Sequence, residues 1–101
     1  MTYVEKIILL LPISDADILP EFVEDCLHDG VGLIAISGKD SSKFDDWIDE
    51  LVVGDGSDPS RFIVTSFHED ESMENVVDFV RSWSKKGWRE DRNAPFQIVE
   101  L

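Results

Sequence analysis

Four short apolar runs, separated by three stretches with helical periodicity, constrain this chain more than any other feature. The first run, "KIILLLPI", does not alternate between apolar and polar positions, so residues 4–11 are expected to form a strand buried on both faces. In "DADILPEFVEDCLHDG" the apolar residues Ile18, Leu19, Phe22, Val23, Cys26 and Leu27 fall on one helical stripe, with Pro20 tolerable in a first turn and Gly30 a natural stop. "VGLIAIS" repeats the strand pattern. "SSKFDDWIDELVVG" repeats the helix pattern, with Phe44, Trp47, Ile48, Leu51 and Val52 on one side and a capping-box-like pair in Ser42 and Asp45. "RFIVTSF" predicts a third strand, "SMENVVDFVRSWSKKG" a third helix, and "APFQIVEL" a fourth strand less apolar than the first.

Strands alternating with helices indicate βαβ units around a parallel sheet, and 101 residues suffice for one domain spanning residues 1–101. The expected fold is therefore three-layer α/β with a four-stranded, mainly parallel sheet. "IILLL" and "FIV" are the most continuous apolar runs, whereas the second strand carries Gly32 and the fourth carries Gln97 and Glu100. That contrast predicts the order 2-1-3-4, with 3-2-1-4 as the alternative. The pattern resembles a shortened flavodoxin-like or receiver-like sheet. A receiver-like domain implies a phosphate-accepting Asp at the end of the third strand, where this chain has Thr65, Ser66 and Phe67.

Charge is unevenly distributed. Residues 1–80 contain 19 Asp and Glu against four Lys and Arg, a net −15, while residues 81–101 contain three acids against five bases, a net +2. So acidic a body repels phosphate, which argues against nucleic acid or anionic membrane as partner and favours a basic protein. "MTYVEKIILLLPI" carries an acid and is broken by Pro12, so it does not read as a secretory leader or a membrane span, and the expected location is the cytoplasm. The single cysteine, Cys26, lies on a helical apolar stripe and reads as a packing residue.

Ligands in open α/β sheets bind beyond the carboxyl ends of the strands. That edge collects Ser14, Asp15, Lys39, Asp40, Ser41, Ser66, His68 and Glu69 as candidate ligand residues. Acids and serines are also what helix starts require, so "HEDESMENV" reads first as helix initiation, with Asp70 or Ser72 capping, and no metal or other cofactor is expected. "ISGKDSS" lacks the spacing of a phosphate-binding loop, and "GDGSDPS" precedes a strand instead of a helix. A nucleophile-elbow motif is absent.

The leading functional expectation is a non-catalytic interaction module that presents Asp45, Asp46, Asp49 and Glu50 to a basic partner, with Trp88 as a further candidate contact. In size, acidity and α/β content the chain resembles barstar-type nuclease inhibitors, a resemblance that implies acidic groups covering a basic active site. The alternative is a divalent-metal-dependent enzyme or small-ligand binder at the polar edge, for instance in phosphoryl chemistry. A homodimer joined through the fourth strand or Trp88 is a third expectation.

Overall fold

In the computed structural model, which describes residues 3–83 and 95–101, each apolar run becomes a five-residue strand: Lys6–Leu10 (β1), Leu33–Ser37 (β2), Val64–His68 (β3) and Phe96–Glu100 (β4). Helices Leu19–Asp29 (α1), Ser41–Val53 (α2) and Met73–Ser82 (α3) connect them, α1 being preceded by one 3-10 turn at Ala16–Ile18. All strand pairs are parallel, in the order β3-β2-β1-β4.

Paired residues of adjacent strands share a face, and the register sets two cores. Ile7, Leu9, Ile34, Ile36 and Val99 meet Leu19, Phe22, Val23 and Cys26 of α1 and Ile48 and Val52 of α2. Ile8, Leu33 and Ala35 meet Val76 and Val80 of α3 on the opposite side. The chain is thus a three-layer α/β protein with two helices on one face and one on the other.

The observed order is the alternative drawn from the sequence, and it corrects the expectation that β3 lies at the centre. Two features of the residues explain the correction. Much of the apolar content of "RFIVTSF" lies before β3: Ile63 enters the core while Phe62 faces solvent, and the strand itself is mostly half-buried. Gly32, read as a weakness of β2, also lies before its strand, and all five residues of "LIAIS" are buried. β1 and β2 form the centre; β3 and β4 are the edges.

Local chemistry accounts for most helix boundaries. Asp15 accepts a 3.0 Å hydrogen bond from the Asp17 amide to open the 3-10 turn, Pro20 sits in the first turn of α1, and Gly30 closes that helix in the left-handed region at φ 79°. Ser72 caps α3 by accepting from the Asn75 amide at 3.2 Å. α2 departs from the expected capping box: Asp40 holds the cap position at φ 67° without a side-chain cap, and Ser42 is already inside the helix. α3 stops at Ser82, and Trp83, already extended, packs on the α3 core. The expected continuation of that helix to Gly87 falls on residues 84–94, outside the described residues, as does Trp88.

One cation joins three elements. Arg61 donates from Nη1 and Nη2 to the two oxygens of Glu24 on α1, at 2.9 and 2.6 Å, and from Nε and Nη2 to the Val52 and Leu51 carbonyls at the end of α2, at 2.8 and 2.9 Å. This fork holds the Glu24 carboxyl below its ordinary value, chiefly through the hydrogen bond. Gly54 permits the approach, since a Cβ there would stand 3.2 Å from the Arg61 Nε.

Candidate functional site

At the carboxyl edge of the sheet the candidate residues separate into distinct local arrangements. Beyond β1, the Ser14 amide donates to the Leu101 carbonyl at 3.0 Å, and Asp15 is engaged as the cap already described. Beyond β2, Gly38 adopts φ 125° with the Leu11 Cβ only 3.1 Å from where its own Cβ would be. The chain then exposes Lys39 and Asp40, which line a cleft of about 360 Å³ together with Leu11, Pro12, Ile13 and Phe44. Ser41 is fully buried, and its hydroxyl has no hydrogen-bond partner among the described residues.

His68 and Glu69, neighbours in sequence, go to different partners. Glu69 reaches across to the start of α2, where its Oε1 accepts from the Ser42 amide at 3.3 Å and from the Ser42 hydroxyl at 3.0 Å. It stands in for the missing side-chain cap and complements the positive end of that helix. His68, only 6% exposed, turns to the α3 face. Its Nε2 lies 2.9 Å from the Ser66 hydroxyl, its Nδ1 lies 2.6 Å from Glu71 Oε2, and its ring rests 4.9 Å from that of Phe79.

Serine, histidine and carboxylate in a hydrogen-bonded chain can pass a proton, as in nucleophilic hydrolases. Here Ser66 stands in the middle of a strand, in register with the buried Ala35, whereas a hydrolase nucleophile is displayed on a sharp turn between strand and helix. The chain of contacts ties the end of β3 to the start of α3. Glu71 belongs to the polar edge that follows the third strand in the sequence, and its spacing of three from His68, just ahead of a helix, is the signal for the pairing.

Asp45, Asp46, Asp49 and Glu50 lie on α2, which packs over the edge strand β3. The Thr65 hydroxyl donates to Asp49 Oδ1 at 2.7 Å. Asp45, one turn earlier, has a buried Oδ1 without a partner among the described residues. Burial pushes the Asp45 carboxyl upward, the nearness of the Thr65 hydroxyl opposes that, and the charges of Asp49 and Asp46 add to it. Asp46 and Glu50 are exposed. Trp47, 37% exposed, lies on the other flank of the helix, where it stacks on Phe44 with ring centroids 6.0 Å apart and planes at 25°. Toward the end of the helix, Asp49, Glu50, Val53 and Gly54 line an open hollow of about 450 Å³. Phe62 before β3 and Phe67 within it are 72% and 51% exposed.

No group of three or more His, Cys, Asp or Glu among the described residues is placed to hold a metal ion, and no helix among them is long and apolar enough to cross a membrane. Cys26 is buried, and burial pushes its thiol up to about 12, so it packs as an inert apolar residue.

A four-stranded parallel sheet in the order β3-β2-β1-β4, with two helices on one face and one on the other, places the chain in the α/β class. Within that class it belongs to a family described as Domain of unknown function (DUF7684), whose pattern it matches over residues 5–94. No curated protein and no solved structure matches it.

Proposed function

We infer that the protein is a non-catalytic interaction module of the cytoplasm whose α2–β3 face binds a basic protein. The observation that carries this reading is the flank of α2 that meets β3: Asp49 takes the Thr65 hydroxyl at 2.7 Å, Asp45 stands one turn before it, and Asp46 and Glu50 lie exposed on the same helix. Carboxylates gathered on one flank attract cations and repel phosphate. The same charge disfavours nucleic acid and anionic membrane as partners. The test is affinity capture at low salt, followed by association kinetics of a captured protein against wild type, Asp46→Asn and Asp49→Asn. A basic partner whose on-rate falls with salt and with either substitution supports the reading. Recovery of acidic or neutral partners alone, with on-rates indifferent to salt and to both substitutions, overturns it.

A second reading rests on the hydrogen-bonded chain Ser66–His68–Glu71, which favours catalysis or ligand binding at the polar edge. It requires a reactive Ser66 hydroxyl, so modification of Ser66 by a serine-directed electrophile, lost in His68→Ala, supports it. The homodimer alternative through β4 or Trp88 predicts a mass that rises with concentration in sedimentation equilibrium.

A further inference from the structure

In the ladder between β2 and β3, the Val64 amide donates to the Gly32 carbonyl at 2.9 Å and the His68 carbonyl accepts from the Gly38 amide at 3.2 Å. Residues 64, 66 and 68 therefore spend their backbone groups on β2. By the two-residue period of a strand, the amides and carbonyls of Thr65 and Phe67 turn outward, and no strand among the described residues pairs with that side. Parallel sheets usually hide such edges, because an unpaired row of donors and acceptors is a template for another strand. Among the described residues the edge has no pairing strand and is bordered by exposed Phe62 and Phe67.

We propose that β3 is a docking edge, and that a basic, extended segment of a partner protein adds to it as a fifth strand beneath the acidic flank of α2. This proposal rests on the reading of the protein as an acidic interaction module and gives that reading its mode of recognition: main-chain hydrogen bonds for affinity and alternate side chains for specificity. The register defines the guest. Thr65 and Phe67 point to the α2 face, so guest residues that fall on the same face lie beside them at the strand spacing of about 4.8 Å. A Lys or Arg beside Thr65 comes under Asp49 and Asp45, and an apolar residue two positions away packs on Phe67. The guest motif is thus basic-x-apolar if it runs parallel to β3 and apolar-x-basic if antiparallel. The hollow lined by Asp49, Glu50, Val53 and Gly54 offers room for a long basic side chain beside the edge. A second copy of the chain is a poor guest, because pairing β3 with β3 would bring two Asp45–Asp49 flanks together in molecules of net charge −13.

The test uses the full chain and a capped peptide, Lys-Thr-Ile-Thr-Lys, which satisfies the motif in both directions, together with the same peptide N-methylated at alternate amides. The expected results are salt-sensitive binding, slowed hydrogen exchange at the Thr65 and Phe67 amides, and loss of binding by the N-methylated peptide. Asp49→Asn is expected to raise Kd roughly threefold, the size of one exposed ion pair. Phe67→Pro removes an outward donor without touching the pairing to β2, and is expected to abolish binding while the variant remains folded. Should that variant fail to fold, the N-methylated peptide still decides. Equal binding of both peptides with unchanged exchange at Thr65 and Phe67 overturns the added strand and leaves the acidic-module reading standing. No binding of either peptide at low salt also overturns the added strand, while salt-sensitive capture of a basic protein weakened by Asp46→Asn would still sustain the module.

Discussion

The Thr65 hydroxyl donates to Asp49 at 2.7 Å, so the edge strand and the acidic helix share one hydrogen bond at the point where the proposed partner docks. Asp45 stands one turn away with its carboxyl raised by burial. A carboxyl raised in the folded state keeps its proton at pH values where the unfolded chain has released it, so stability falls as pH rises from the ordinary aspartate range through the folded value. Asp45→Asn is expected to remove that loss. The variant should gain on wild type across the same window and reach a stability advantage of about 0.2–0.5 kcal/mol at neutral pH, the scale of one like-charged pair a helical turn apart. Urea unfolding at several pH values measures it; a variant less stable than wild type at neutral pH would contradict the account.

His68 is expected to matter for stability. His68→Ala leaves Ser66 and Glu71 without their shared partner and uncovers Phe79, a loss of about 1–3 kcal/mol in chemical denaturation. His68→Gln, which can still donate and accept, is expected to recover part of it. No change on His68→Ala would show that the contacts to Ser66 and Glu71 do not hold β3 to α3.

Arg61→Lys retains the charge but loses the planar fork that serves Glu24 and two carbonyls at once. A lower melting temperature is expected at neutral pH. Because the Glu24 carboxyl is depressed in the folded state, the stability it contributes is present above its ordinary value and lost as pH falls through the folded one, so the gap between wild type and variant should narrow in acid to the part carried by the two carbonyl bonds. A melting-temperature gap undiminished in acid would locate the role of Arg61 in the carbonyls alone.

Leu9 lies fully buried on the central strand against α1 and α2. Leu9→Ala is expected to cost about 2–5 kcal/mol, a large share of the stability of a small domain. Leu9→Asp is expected to prevent folding, since it places an unpaired charge in the core. Circular dichroism during thermal unfolding reads both.

Apolar periodicity made the alternation of strands and helices and the two helix-covered faces legible, and turn and cap chemistry marked Gly30 and left Asp70 or Ser72 as the cap that the structure assigns to Ser72. Strand order was harder, because burial depends on which residues lie inside a strand: Phe62 and Ile63 added apolar content to a run whose strand begins only at Val64. The clustering of Asp45 and Asp49 over one strand followed from helical spacing, but their meeting with Thr65 depends on α2 crossing β3, a tertiary fact. The partners of Glu69 and Glu71 were hidden for a similar reason. Local sequence placed both near a helix start, while only the fold sends one to α2 and the other to His68.

The location of the basic partner is tested most directly by amide chemical-shift mapping of the full chain during titration with the Lys-Thr-Ile-Thr-Lys peptide at low salt. The account predicts perturbations concentrated at residues 45–53 and 62–67 and reversed by physiological salt, as the screening length shrinks to about 8 Å. Perturbations spread over every acidic surface, or centred on Glu21, Glu24 and Asp25 of α1, would contradict it.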